Sequence, residues 1–206
     1  MELTERQNDS VTELINIAFS RTAASLSELT GHRVLLDVPQ VSLFPISQLA
    51  VELSKFLPAE IATVHQVFSG PLAGDALLLL NYDGAVMLTD LLTDEHAQST
   101  RLDESAREVL TEVGNILLNA CLGVFGNLLH VWVSFSVPHL HLETLNDLVD
   151  SVIADKDEVR YALVIYTAFR LRDSAISGYL VIALSVASLD RLIREVERWE
   201  QRQGNE

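Results

Sequence analysis

The sequence predicts one α/β domain of the α+β type, in which two similar halves share a mainly antiparallel sheet and two long helices lie side by side on one face. Two observations support this fold. Two long segments carry apolar residues at the three- and four-residue spacing of one helix face, and each is followed by the same order of shorter strand and helix patterns. A shift of 99 residues aligns these segments, placing Asn16 on Asn115 and Pro39 on Pro138. A repeated order of elements indicates a pseudo-twofold arrangement of two α-β-α-β-β-α units.

The first predicted half, residues 8–93, opens with a long helix whose apolar face runs over 11–29 and which ends at Gly31. The elements after it are a strand at 33–43, a short amphipathic helix at 47–56, two strands at 61–68 and 73–81, and a helix at 83–92 that Asp83 is expected to cap. Pro39 lies inside the first strand, which favours an edge or a bend, because proline cannot donate to a strand ladder. Turn residues at 69–71 indicate that the next two strands form a hairpin.

The second predicted half, residues 103–201, repeats this order. Its elements are a long helix at 104–129, a strand at 131–137, a short helix at 142–153, a hairpin of strands at 159–169 and 175–184, and a closing helix at 189–200. The run 113–142 contains no charged residue and is long enough to cross a bilayer. Asparagine, histidine and glycine residues interrupt it, however, so a helix followed by a buried strand explains it better, and we expect no membrane insertion.

Composition excludes several classes of protein. The chain has 206 residues, enough to bury a core without disulfide or metal support, and 49% of them are hydrophobic. Its 29 acidic against 14 basic residues give a net charge of -15, and no cluster of cations is present to neutralise phosphates, so a nucleic-acid partner is not expected. The single cysteine, Cys121, excludes an intramolecular disulfide. With an acidic start to the chain instead of a signal-peptide pattern, we expect a cytoplasmic protein.

Both long helices carry the same polar stripe opposite their apolar face. The stripe consists of Asp9, Glu13, Asn16 and Ser20 in the first helix and of Glu108, Glu112, Asn115 and Asn119 in the second. Spacings of three and four residues place a glutamate and an asparagine side by side on one helix surface. In each half a proline, Pro39 or Pro138, follows the asparagine 23 positions later.

This doubled pattern resembles the active-site signature of the CheC, CheX and FliY family of phosphatases. The signature is an Asp or Ser, three residues, Glu, two residues, Asn, twenty-two residues and Pro. It is met by Asp9, Glu13, Asn16 and Pro39, and again by Glu108, Glu112, Asn115 and Pro138. The resemblance covers essentially the whole chain, as one CheC-like domain over residues 1–206. Glu108 departs from the usual Asp or Ser, and Ile15 stands where the second half has Gly114, so the two sites need not be equally active.

The resemblance implies a hydrolase that removes the aspartyl phosphate of CheY-type response regulators in chemotaxis or two-component signalling. Carried over by position, Asn16 and Asn115 orient the attacking water, and Glu13 and Glu112 pair with a lysine of the receiver. An amide can do this without a particular protonation state, and a receiver domain brings its own Mg²⁺. No cofactor or metal of the chain's own is therefore expected.

A second function stays open, because one fold can host several functions. The chain could be a non-catalytic adaptor that docks a receiver domain or a CheD-like deamidase. The two asparagines favour the enzyme, since an adaptor needs no amide to position water.

Structural alternatives also exist for the singled-out residues. Glu13 could complete a capping box with Ser10, and Ser105 with Glu108 would form the equivalent box of the second helix. His130, His139 and His141 suggest a metal site, but no further ligand is suitably spaced, and we expect none.

Overall fold

A computed structural model of the protein describes residues 3–31, 33–93, 102–153, 160–171 and 174–203. The helices are α1 (Glu5–Thr30), α2 (Leu49–Leu53), α3 (Tyr82–Thr93), α4 (Glu104–Leu129), α5 (Leu145–Ile153) and α6 (Val186–Gln203), with a 3-10 turn at Ile46–Gln48. The strands are β1 (Val34–Leu36), β2 (Gln40–Pro45), β3 (Glu60–Ser69), β4 (Gly74–Asn81), β5 (Ser134–Phe135), β6 (His139–Thr144), β7 (Arg160–Leu171) and β8 (Ser174–Ser185).

These eight strands form one sheet in which the edge strands cross from one part of the chain to the other. The central order is β7-β8-β4-β3, and every pairing is antiparallel. Strands β1 and β2 pair with β7, whereas β5 and β6 pair with β3. Each half of the chain therefore supplies the edge strands of the other half. The predicted limits of the halves, 8–93 and 103–201, stay a prediction.

Helices cover both faces of the sheet. Apolar residues of α1, α3, α4 and α6 pack on one face with those of β3, β4 and β8. The smaller helices α2 and α5 pack on the other face. The two long helices, α1 and α4, lie against each other on the first face. The predicted fold class, a mixed α/β domain with an antiparallel sheet, is confirmed.

The N-terminal caps of three helices differ from those predicted, although α4 begins at Glu104 as expected. Helix α1 begins five residues before Ser10, and the side chain of Thr4 caps it by accepting from the backbone N–H of Gln7 at 3.3 Å. For α4 the cap is Asp103, which accepts from the N–H of Ala106 at 2.9 Å. Both predicted capping boxes are therefore wrong, and neither Glu13 nor Glu108 has a capping role.

Helix α3 begins at Tyr82 instead of after Asp83, because the side chain of Asn81 accepts from the N–H of Gly84 at 2.7 Å. The strand predicted at 33–43 is two strands, and the chain turns at 37–39 between them.

A similar interruption separates β5 from β6, and β6 occupies residues partly predicted as helix. In both halves the second strand starts directly after a motif proline, Pro39 or Pro138. The prolines lack the N–H that a continuous ladder would need, so the strand ends before them. The predicted start of β7 at residue 159 lies outside the described residues.

Among the described residues, one helix, α4, is long and apolar enough to cross a membrane by length and composition. Half of its most apolar window is buried inside the protein, where leucines such as Leu110 and Leu118 are completely shielded by the rest of the core. A helix that packs its apolar side against a sheet satisfies the same composition test as a span. That the chain does not insert into a membrane stays a prediction.

Candidate functional site

The structure places a predicted glutamate and a predicted asparagine one turn apart on each long helix. On α1, Glu13 is exposed and Asn16 is half-buried one turn further along. On α4, Glu112 and Asn115 have the same exposures. The two glutamates are thus accessible to a partner protein, whereas the two asparagines are partly covered by neighbouring parts of the chain.

The four supporting motif residues lie in two different places. Asp9 and Glu108 are exposed on the same helices, one turn before the glutamates. Pro39 is buried and Pro138 is half-buried, both in the sheet-edge segments that precede β2 and β6. The prolines therefore shape the backbone beside the helices and do not join the polar stripe.

Helix α1 is fixed at its start by contacts with α6. The side chain of Gln7 donates to Glu197 Oε1 at 2.9 Å, and Arg6 Nε donates to Glu200 Oε1 at 3.1 Å. The other end of the helix stops at Gly31, which has the positive φ of 67° that a left-handed cap requires.

Helix α4 approaches the sheet unusually closely at Gly114. A Cβ atom at this position would lie 2.5 Å from Cγ1 of Val64 in β3, closer than two carbon atoms can pack. In the first half the corresponding residue is Ile15, which is completely buried. The missing side chain at Gly114 thus brings the backbone of α4, and with it Asn115, down onto β3.

Asn115 is held by two side-chain amides. Its Oδ1 accepts from Asn119 Nδ2 at 2.6 Å, one turn along α4, and from Gln66 Nε2 at 3.4 Å, on β3. The same nitrogen of Gln66 donates to the backbone carbonyl of Ser136 at 2.8 Å. Ser136 stands two residues before the motif proline Pro138. Gln66 therefore links the segment that leads into this proline to Asn115.

The surroundings of Asn16 are different. At the position of Asn119 stands Ser20, whose hydroxyl donates to the backbone carbonyl of Asn16 at 2.9 Å and not to its side chain. In the segment that leads into Pro39, the carbonyl of Asp37 accepts from Thr167 Oγ1 on β7 at 3.0 Å, just as the carbonyl of Ser136 accepts from Gln66. Within the part of the chain that the structure describes, the Asn16 side chain makes no hydrogen bond.

Sequence analysis did not single out Gln66. One signal could have found it: within the strand it occupies an inward position between Val64 and Phe68, where alternation demands an apolar residue. It is only 1% exposed, and a buried amide needs partners that only the folded sheet supplies.

Cys121 is not a candidate nucleophile. It is buried on the apolar side of α4, and this burial raises the pKa of its thiol far above the ordinary value. The reactive thiolate is therefore suppressed at neutral pH.

The described residues contain no group of three or more His, Cys, Asp and Glu side chains that could hold a metal ion. His139 and His141 are neighbours on β6 with ring centres 6.5 Å apart, and His65 on β3 pairs with Asp75 at 3.0 Å. His130 lies elsewhere, at the end of α4, with a positive φ of 58°.

The other face of the sheet carries a cavity of about 440 Å³ that contains none of the motif residues. Two of its walls are the rings of Tyr166 and Tyr179, with centres 4.9 Å apart. Burial and the neighbouring Tyr166 raise the pKa of Tyr179, so the Tyr179 phenol stays neutral near pH 7.

No protein-family model matches the chain. Two curated relatives, both from Bacillus subtilis, are 22% identical to it. One is the flagellar motor switch phosphatase FliY, matched over 143 residues that make up 68% of this chain and 37% of FliY. The other is the CheY-P phosphatase CheC, matched over 170 residues, 81% of this chain and 81% of CheC. The match thus spans little more than a third of FliY but most of CheC.

Solved structures share the fold. FliY from Thermotoga maritima superposes with a TM-score of 0.77 and 20% identity, covering 98% of this chain and 99% of that one. FliM from the FliG–FliM complex of H. pylori superposes with a TM-score of 0.64 and 12% identity, covering 93% of this chain and 100% of that one. The resemblance drawn from the doubled motif is confirmed by these comparisons.

Proposed function

We propose that this chain, a member of the CheC/CheX/FliY family, is a phosphatase that hydrolyses the aspartyl phosphate of CheY-type response regulators. One observation carries the proposal. The glutamate and asparagine of the motif recur on both long helices, with the glutamate exposed and the asparagine half-buried beside it in each case.

The reaction itself demands little of the chain. A water oxygen forms a bond to phosphorus while the bond between phosphorus and the aspartyl oxygen breaks, and the electrons of that bond leave with the carboxylate. The products are inorganic phosphate and the free aspartate, and the proton of the water passes to phosphate or solvent. Because an acyl phosphate is already activated, the missing contribution is a well-placed water.

The helix surfaces supply that contribution in the proposed complex. Asn16 or Asn115 enters the receiver's active site and holds the water in line, while Glu13 or Glu112 forms a charge-assisted contact with the receiver's lysine. A rigid helix keeps the two groups at a constant separation. The Mg²⁺ that neutralises the phosphoryl oxygens belongs to the receiver, so the chain needs none of its own.

A second candidate is a non-catalytic adaptor for a receiver or a CheD-like deamidase. The FliM structure that shares this fold was solved with FliG, which is an observation that favours protein docking as a use of the fold. Binding assays with a receiver in both phosphorylation states and with a CheD-like protein distinguish the candidates. An adaptor binds without speeding phosphate loss, whereas the phosphatase speeds it.

The test of the enzyme is phosphate release from a Mg²⁺-loaded, phosphorylated CheY-type receiver, with and without the chain. We expect acceleration that falls in Asn16→Ala, in Asn115→Ala or in both, which also ranks the two sites. Thr63→Val is a matched control, because Thr63 is fully buried and its hydroxyl has no hydrogen-bond partner among the described residues. Receiver binding without acceleration would support the adaptor instead.

A further inference from the structure

The buried amide of Gln66 stands apart from the rest of the core. It is one of few polar side chains that are almost completely buried, it faces the candidate site, and no part of the family motif includes it. Burying an amide costs free energy unless it is hydrogen-bonded, so its contacts define what it does.

The backbone carbonyl of Ser136 determines which atoms donate and which accept in the hydrogen bonds around Gln66. The backbone carbonyl of Ser136 can only accept, so the Gln66 atom 2.8 Å from it must be the donor Nε2. That nitrogen also lies 3.4 Å from Asn115, whose nearer atom must then be the acceptor Oδ1. Asn119 completes the arrangement by donating to the same Oδ1 at 2.6 Å.

Two donors thus occupy the Oδ1 acceptor of Asn115, and its Nδ2 amino group makes no hydrogen bond to another described residue. We infer that Gln66 and Asn119 are positioning residues that hold the Asn115 carboxamide with its two N–H groups directed at the receiver. This inference rests on the proposed phosphatase function and adds what that function leaves open, namely which atoms of Asn115 face the reacting groups. The ligand they meet is an electron-rich oxygen, either of the water or of the phosphoryl group.

This arrangement also explains the long spacing in the motif. Pro138 ends the edge segment so that the Ser136 carbonyl meets Gln66, and Gly114 lets α4 come close enough for Asn115 to reach the same amide. At the first site Thr167 and Ser20 occupy the matching places, and their hydroxyls bond to the backbone carbonyls of Asp37 and Asn16, not to the side chain of Asn16. The first site, around Asn16, therefore provides natural replacements for both positioning residues.

The experiment uses Asn16→Ala as the background, so that only the second site acts. Into it we introduce Gln66→Thr and, separately, Asn119→Ser, which copy Thr167 and Ser20 at the first site. We expect kcat for receiver dephosphorylation to fall on the order of tenfold in each, with KM changed by less than about twofold, because orientation and not docking is lost. Thr63→Val, on the same strand but the other face of the sheet, should leave both constants unchanged.

A spectroscopic measurement tests the orientation without any activity. The side-chain N–H₂ resonances of Asn115, assigned by NMR in the free chain, should shift towards values of an unrestrained amide in Gln66→Thr and Asn119→Ser but not in Thr63→Val. Should Gln66→Thr fail to fold, Asn119→Ser on the half-buried helix surface tests the same contact. Unchanged resonances and an unchanged kcat in Asn119→Ser or Gln66→Thr overturn the inference.

Asn115→Asp tests the direction of the amide. A carboxylate still accepts from Gln66 and Asn119 but has no N–H to offer. We therefore expect the fold and these two hydrogen bonds to persist while dephosphorylation at this site is lost. In the Asn16→Ala background, activity retained by Asn115→Asp would show that the N–H groups of Asn115 do not face the receiver. If the unmodified chain accelerates no receiver at all, the proposed function fails, whereas the NMR shifts still decide whether Gln66 positions Asn115.

Discussion

At the scale of single residues, the glutamates and the asparagines of the motif have different physical tasks. Glu13 and Glu112 are exposed and separate from any cap, so their removal should not disturb the fold. Asn115 is bound to two other amides, and its replacement affects a small network. The sequence predicted the helix surface on which all of these lie, because their spacing follows the helical period. The sequence marks Gln66 as a polar residue at an inward strand position but could not predict its contact with Asn115, because that contact joins residues 49 positions apart.

The glutamates offer a prediction about docking. In the double variant Glu13→Gln/Glu112→Gln we expect KM for the phosphorylated receiver to rise about two- to fivefold with kcat nearly unchanged, since an exposed ion pair contributes little and acts in binding. The dependence of KM on salt concentration should be weaker in this variant than in the unmodified chain. The free energy of unfolding should change by less than about 0.5 kcal/mol, as measured in urea. A large loss of kcat with KM unchanged would mean that the glutamates act in the chemical step.

At the scale of elements, the close contact of α4 with β3 determines how the second site is built. Gly114 faces Val64 without a side chain, whereas Ile15 fills the matching place in α1. Helices were the most predictable elements, because 26-residue amphipathic runs repeat the helical period many times. Edge strands were predicted less well, since β5 and β6 depend on pairing with β3, a strand about 70 residues earlier.

Gly114→Ala tests that contact. The added methyl group would meet all three side-chain carbons of Val64 within 2.8 Å, and such overpacking costs about 1–3 kcal/mol, offset by up to about 1 kcal/mol of better helix propensity. We expect a lower free energy of unfolding and, in the Asn16→Ala background, a reduced kcat. Val64→Ala removes two of the three carbons that clash, so the changes in the free energy of unfolding caused by Gly114→Ala and Val64→Ala, measured in urea, should be strongly non-additive. Simple additivity would show that the helix does not approach β3 at this point.

At the scale of the whole molecule, the exchange of edge strands makes the two halves one folding unit. Among the described residues, strands β1 and β2 pair only with β7, and β5 and β6 pair only with β3. The repeated order of elements predicted two similar units in one sheet, and the sheet was found. The two hairpins, β3 with β4 and β7 with β8, were predicted from their order along the chain. The pairing of the edge strands with β7 and β3 could not be predicted, because the local pattern of a strand does not identify a distant neighbour.

This exchange predicts a single cooperative unfolding transition. Circular dichroism reports the whole backbone, and fluorescence reports mainly Trp199, which is buried on α6, since Trp132 is already 68% exposed. We expect the two signals to give the same midpoint in urea and one calorimetric transition on heating. Two separated transitions would show that the halves fold independently and that the crossed edge strands add little.

The most direct test of the central claim is the lifetime of the aspartyl phosphate on a Mg²⁺-loaded CheY-type receiver, measured with the unmodified chain and with Asn16→Ala/Asn115→Ala. Both proteins must first give the same circular dichroism spectrum, so that loss of fold is excluded. The account predicts that the unmodified chain shortens the lifetime and that the double variant restores the receiver's own slow rate. A double variant that dephosphorylates the receiver as fast as the unmodified chain would contradict the role of the asparagines.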